Sequence, residues 1–325
     1  MIHKWRLWAS ALVSAFASLS IGIAAHAAYP DRAVTLVVPQ GVGGSSDAIG
    51  RIIATKLSEL LGQNFVVLNK TGAGGGVGTS FVANSKPDGY TLLLTVGSSH
   101  SIIPALYKNP GFDPIKDFEP VATVATTGYM MVANNSFPAN NLAELIQYAK
   151  KHPGKVDVST AGNGTPQHLL LEMLKSNANI ELNHVPYRTA VASITDVIGG
   201  NVDATISSAP ALLGFIKSGK VKVIAMMNEQ PFSAFADVQL ANAVVPGVSI
   251  NPWFGVLAPA GTPKDVIETL QKAIDIALSS KDVQQQMAAQ VCETYKTTPK
   301  ELKDLIAREV VEWAKIVSQT GSKLD

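Results

Sequence analysis

The glycine cluster Gly41-Val-Gly-Gly-Ser-Ser-Asp47 stands between a β-branched apolar run and a helical pattern. Free backbone amides at such a junction, together with the positive end of the helix dipole, favour a bound anion. No Gly-Lys-Ser/Thr follows, so a triphosphate would lose its main charged contact. Further along, Gly162-Asn-Gly-Thr-Pro-Gln-His168 repeats the arrangement of strand, glycine turn and helix start. Two such ends facing each other would make an anion clamp, although Pro166 has no N–H and offers fewer donors. Thr189 opens a third helix start after His184-Val-Pro-Tyr-Arg188. The Arg188 guanidinium could hold a carboxylate with a bidentate fork, but it lies just outside the helix start, which favours a structural ion pair.

Other chemistries lack a required residue. In Thr71-Gly-Ala-Gly-Gly-Gly-Val-Gly78 the third glycine of a dinucleotide-binding pattern started at Gly72 falls on Val77, so a close-packed turn is the better reading. Neither H-x-H nor H-E-x-x-H spacing occurs among His100, His152, His168 and His184, so no metal site is expected. Gly97-Ser-Ser-His-Ser101 lacks the second glycine of a nucleophile elbow. Neither a catalytic residue nor a cofactor is therefore expected.

Lys4 and Arg6 precede an apolar run from Leu7 to Ala25 that closes on Ala25-His-Ala-Ala28. This pattern is a secretory leader, residues 1–28, cleaved near Ala27 or Ala28. Losing Lys4 and Arg6 turns the formal net charge of +1 into about −1, which speaks against nucleic acid or anionic lipid as partners. The remaining length exceeds what one core usually holds, so two lobes are expected. Cys292 is the single cysteine, so burial rather than a disulfide must stabilise the fold.

Strands are read at Val34–Val38, Phe65–Leu68, Thr91–Val96 and Val121–Val132, with helical or glycine-rich stretches between them. A helix capped by Ser46 or Asp47 runs through Ile49, Ile53 and Leu57 to Gly62. A second set follows: helix Leu142–Lys151, strand Val156–Ser159, helix from Gln167, strand Leu182–Val185, helix Val191–Ile198, and strands Val202–Ile206 and Lys220–Met226. Thr298-Pro-Lys-Glu301 is a capping box that opens a last helix with its apolar face on Leu302, Ile306, Val310, Trp313 and Val317. The alternation implies an α/β protein of two mainly parallel, doubly wound lobes. Crossings are placed near Thr126-Thr127 and Asn251-Pro252, giving lobe I as 29–126 and 252–325 and lobe II as 127–251. Two strand crossings make a hinge around a cleft.

Tyr29-Pro-Asp-Arg32, Pro39 through Asp47, Lys70-Thr-Gly-Ala-Gly-Gly75, Pro87-Asp-Gly-Tyr-Thr91, Gly162-Asn-Gly-Thr165, His184-Val-Pro-Tyr-Arg188 and Leu257-Ala-Pro-Ala-Gly-Thr-Pro263 occur in order across the chain. Together they resemble the Bug (TctC-like) receptors of tripartite tricarboxylate transporters. The resemblance implies a type II periplasmic-binding-protein fold closing on a small carboxylate, and action with the membrane subunits of such a transporter; a monomer is expected. The motifs carry over Gly43, Gly44, Ser45, Ser46, Ser99 and His100 as ligand contacts from lobe I, and Thr165, Gln167, His168, Thr189 and Ala190 from lobe II. Asp47 is expected to cap its helix.

This chain departs from the family pattern at Gln40, usually aromatic, at Gly41, usually proline, and at Pro166, usually serine. Ser207 also stands where many relatives carry Asp, removing an anion that would attract an ammonium group. A dicarboxylate without an amino group, aliphatic or aromatic, is therefore expected. A sensor that presents the same ligand to a membrane kinase is the alternative role.

Overall fold

The computed structural model describes residues 29–320 except Gly164, so the leader lies outside the described residues. Lobe I opens with β1 (Val34–Val38), α1 (Ser45–Leu61), β2 (Phe65–Asn69), α2 (Gly76–Ala83), β3 (Thr91–Val96), α3 (Gly97–Leu106) and β4 (Phe118–Thr127). Lobe II follows with β5 (Tyr129–Ala133), α4 (Leu142–Lys151), β6 (Asp157–Thr160), α5 (Pro166–Ala178), β7 (Asn183–Pro186), α6 (Ala190–Ile198), β8 (Ala204–Ser208), α7 (Ala209–Lys217), β9 (Lys222–Met226) and α8 (Ala241–Val244). The chain then returns through β10 (Trp253–Pro259), α9 (Lys264–Ser279), α10 (Lys281–Ala289), β11 (Cys292–Thr294) and α11 (Pro299–Thr320). Among the described residues no helix is long and apolar enough to cross a membrane.

The six strands of lobe I lie in the order β11-β4-β10-β3-β1-β2 and the five of lobe II in the order β7-β6-β8-β5-β9. Each lobe keeps a parallel set, β2, β1 and β3 in the first and β7, β6 and β8 in the second. Each also takes in an antiparallel strand just after a crossing, and in lobe I β11 adds a second on the edge beside β4. β10 enters between β3 and β4, and β5 enters between β8 and β9. Sequence alone suggested mainly parallel sheets because β5 and β10 carry the same apolar runs as parallel strands, and direction leaves no mark on composition.

Side-chain alternation builds the layers. Leu36 and Val38 pack with Ile49, Ile53 and Leu57 of α1 on one face of β1, while Val37 packs on the other with Val82, Leu302 and Ile306. Lobe II repeats this, with Met131 against Leu145 and Leu170, and with Met130 and Val132 against Ile194 and Leu212. Each such fully buried side chain contributes about 1.5–3 kcal/mol. Thr298 and Glu301 form both arms of the capping box, Glu301 N to Thr298 Oγ1 at 3.2 Å and Thr298 N to Glu301 Oε2 at 2.8 Å.

The stretch expected as one strand, Val121–Val132, divides at Gly128 into two strands of different sheets. Asn228 holds this passage by accepting from Tyr129 N at 2.8 Å and donating to Thr127 O at 3.0 Å. Thr126 donates to Pro252 O at 2.7 Å, which ties the two crossings together. The last helix packs in both lobes. Leu302 and Ile306 of α11 lie in a lobe I core, but Trp313 and Val317 join Leu170 and Leu174 in the lobe II core. A continuous amphipathic stripe looks the same whether it faces one core or two.

Candidate functional site

Strand register locates the cleft. Phe254 pairs with Val96 and Trp253 with Thr126, so the carboxyl ends of β3 and β4 lie at the entry of β10. In lobe II Tyr129 pairs with Ser208 and Met130 with Met226, so the carboxyl ends of β8 and β9 lie at the entry of β5. Both sets of carboxyl ends therefore meet at the crossings. The turns after β1 and β3, and those after β6, β7 and β8, open there from opposite sides, the usual place for ligands on doubly wound sheets.

In lobe I, Gly44 is the N-cap of α1 in extended conformation, without a side-chain cap. Ser45 and Ser46 begin the helix, and the amides of its first turn have no intrahelical acceptor. Gly43 turns the loop at φ 82° and gives its N–H to Asp47 Oδ2 at 3.0 Å. Its amide is thus spent within the protein, and Gly43 shapes the loop instead of donating to a ligand. Asp47 reaches back to the loop rather than serving as the cap, and it is almost fully buried. Burial works to raise its pKa, but hydrogen bonds from Arg51, Gly43 and Asn69 outweigh it and hold the carboxyl below its ordinary value. Arg51 lies at 2.9 Å, so the carboxylate charge is balanced inside the loop.

After β3 the chain turns at once into α3, and the Trp253 ring lies over its first residue. A Cβ on Gly97 would come within 1.8 Å of that ring. Ser99 is half-buried in the first turn. His100 departs from expectation, because its side chain is fully buried, packs against Phe112 and Phe118 and bonds Pro114 O at 3.0 Å. Desolvation pushes its pKa down to about 4, and the neutral ring is a core residue of lobe I. Glycine and serine neighbours suggested a site, but the helical turn they start carries residue 100 inward.

In lobe II, Thr165 is the N-cap of α5, accepting from His168 N at 3.4 Å and donating to Gly162 O at 2.7 Å. The Gln167 side chain is buried and its Oε1 has no partner. His168 stacks on His184 with centroids 4.3 Å apart, and His184 bonds Thr160 Oγ1 at 2.7 Å. Burial lowers both rings' pKa values, that of His184 to about 4 with the His168 ring adding to the shift. Thr189 caps α6 by accepting from Ala192 N at 3.2 Å, and Ala190 begins that helix. Arg188 is exposed and makes no ion pair among the described residues, contrary to the structural pairing expected of it. At the end of β8 the Ser207 hydroxyl is buried without a partner.

The motifs did not mark Gln40 as a contact, yet both of its side-chain amide atoms are buried and unpartnered beside the glycine turn after β2. Its departure from the family pattern was the available signal. That glycine turn is a packing device, because a Cβ on Gly78 would lie 2.5 Å from Lys70 O and 2.8 Å from Pro39. Among the described residues no group of three or more His, Cys, Asp or Glu could hold a metal ion.

Two doubly wound lobes joined by paired strand crossings, with helix starts opening between them, define a solute-binding protein of the periplasmic type. Residues 49–322 match the family described as the tripartite tricarboxylate transporter family receptor (TctC), and the chain belongs to that family. It is 35% identical to protein BugT of Bordetella pertussis over 298 residues, 91% of either chain. The solved structure of the periplasmic binding protein BugD matches with TM-score 0.81 and 34% identity, over 91% of this chain and all but 1% of that one, covering 99% of it. An R. palustris protein solved with adipate matches with TM-score 0.83 and 30% identity, over 90% of this chain and 98% of its own. Proteins of this family are binding receptors, not enzymes.

Proposed function

We propose that this chain is a periplasmic receptor that captures a dicarboxylate lacking an amino group, aliphatic or aromatic, and delivers it to the membrane subunits of a tripartite tricarboxylate-type transporter. One observation carries the reading: buried polar atoms without partners occur on both sides of the crossings, on Gln40 in lobe I and on Gln167 and Ser207 in lobe II. Buried polar groups in folded proteins are nearly always hydrogen-bonded. Of the six such atoms among the described residues, His100 Nδ1 and Trp313 Nε1 lie in the cores, whereas those of Gln40, Gln167 and Ser207 lie at strand ends and a helix start beside the crossings and support a polar guest there. The open amides of the first turn of α1, and the Gln167 N–H beyond the Thr165 cap, supply donors for a carboxylate.

Ser207 supports the ligand's charge type, because it leaves that wall without an anion that would pair with an ammonium group. The adipate in the R. palustris relative is a plain dicarboxylate of this kind. The leader read in residues 1–28 supports export.

A thermal-shift screen of the purified protein against carboxylic acids tests this. A ligand at about 100 times its dissociation constant should stabilise the protein by roughly 2.7 kcal/mol. No shift with any aliphatic or aromatic acid would remove the carboxylate. Glutamate or aspartate binding as tightly as every plain dicarboxylate would remove the dicarboxylate.

A further inference from the structure

We propose that Gln40 is the specificity residue of lobe I, and that it selects an acid bearing a hydroxyl substituent over its plain counterpart. The proposal rests on the receptor reading above and deepens it. Gln40 follows Pro39 at the carboxyl end of β1, and its backbone carbonyl is held by Asn69 Nδ2 at 3.1 Å. Its side chain lies against the 3-10 turn Ala73–Gly75, where Nε2 is 3.2 Å from the position of a Cβ on Gly75. The residue is thus fixed in place while its functional end is left over. Because Nε2 and Oε1 are both buried and both unpartnered, the conclusion is independent of which way the amide is turned.

The inventory of unmet hydrogen bonds separates ligand classes. A carboxylate only accepts, so it can satisfy the helix-start amides and the Gln40 Nε2 donor but not the Gln40 Oε1 acceptor. Gln167 Oε1 is a second buried acceptor in want of a donor. A plain dicarboxylate would bring four more acceptor oxygens and no donor at all. A hydroxyl both donates and accepts, and one such group suits an amide whose two ends are both free. An ammonium group could also donate, but it needs a counter-charge in a buried site. The acidic residue of the Gly41–Asp47 loop is already paired with Arg51, so the neutral donor is the one this wall can accommodate.

The test is calorimetric titration of the wild-type protein and Gln40→Leu with matched acids differing by one hydroxyl. Suitable pairs are succinate and malate, glutarate and 2-hydroxyglutarate, and phthalate and 4-hydroxyphthalate. In the wild type the hydroxylated member of the pair that binds should be tighter by about tenfold or more, because a site built for a hydroxyl rejects the analogue without it. In Gln40→Leu that preference should fall below about twofold, whatever the loss of affinity that the two members share. Melting of the free variant checks its fold, since replacing an unpartnered buried amide by an apolar side chain of similar shape is neutral or stabilising. Equal binding of the two members by the wild type, or a preference that survives in Gln40→Leu, overturns the role of Gln40 and leaves the receptor reading intact. Binding of no acid in any pair overturns the carboxylate reading itself, and this proposal with it.

Discussion

The Trp253 indole donates to the Glu309 carboxylate at 2.9 Å, joining the strand that returns to lobe I with the helix that packs in both lobes. The second carboxylate oxygen accepts from Ser101 Oγ at 3.0 Å. Ser101 lies on α3, two residues beyond Ser99, so one half-buried acid ties the last helix to the hinge and to the element that carries a candidate contact.

Burial raises the Glu309 pKa to about 7; the bonds from Trp253 and Ser101 oppose the rise, Glu312 adds to it and Arg308 counters it. An unfolded glutamate titrates near 4.5. Between these values the folded protein binds more protons than the unfolded chain, so stability falls as pH rises from about 4.5 to 7 and the contribution is fully present below that window. Glu309→Gln should flatten that pH dependence by up to roughly 3 kcal/mol. Urea unfolding at the two ends of the window measures it, and an unchanged slope would show that Glu309 is not its source.

Gly97→Ala should cost about 3 kcal/mol, because the new methyl would meet the Trp253 ring at 1.8 Å and the ring has no room to retreat from a close-packed core. Trimming the ring should relieve this. In a cycle with Trp253→Leu, measured by urea unfolding, the double variant should lose markedly less than the sum of the two single losses. Strict additivity would mean that the two sites do not press on each other.

Asn228→Ala should cost about 2–4 kcal/mol, since it strands the Tyr129 N–H and the Thr127 carbonyl in a buried passage between sheets. Hydrogen exchange should report faster loss of protection at Tyr129 than in the centres of β1 and β8. Equal protection there in variant and wild type would contradict a role in holding the crossing.

Ser207→Asp introduces an anion and places it, nearly without solvent, on the lobe II wall. Affinity for dicarboxylates should drop by about tenfold or more, since like charges at close range are costly. Amino-acid binding should appear or strengthen. Titration calorimetry with one ligand of either kind reads both changes, and an unaltered ranking would separate Ser207 from ligand choice.

Much of this architecture is legible from residue types. Leu142–Lys151 carries its own stop in Pro153-Gly154, and Thr298 and Glu301 satisfy each other locally, so both helices could be read from a few neighbouring residues. What escaped reading depends on partners distant in the chain. Gly128 lies inside an unbroken apolar run, and nothing near it tells that two sheets meet there. Gly97 is required by Trp253, which is known only once β10 is seen beside β3. Glycines and hydroxyls marked the turns that open at the carboxyl ends of the strands, whereas the inward His100 and the orphaned Gln40 depended on side-chain direction, which spacing does not encode.

The shared helix α11 has a consequence for how the molecule forms. β10 fills the middle of the first sheet but is synthesised after all of lobe II, and α11 closes both cores last. Neither lobe can complete its interior while the chain is still being made, and each depends on contacts between residues far apart in sequence, the kind that form slowly. The two lobes therefore share one seal, and loosening the C-terminal helix would expose apolar surface in both.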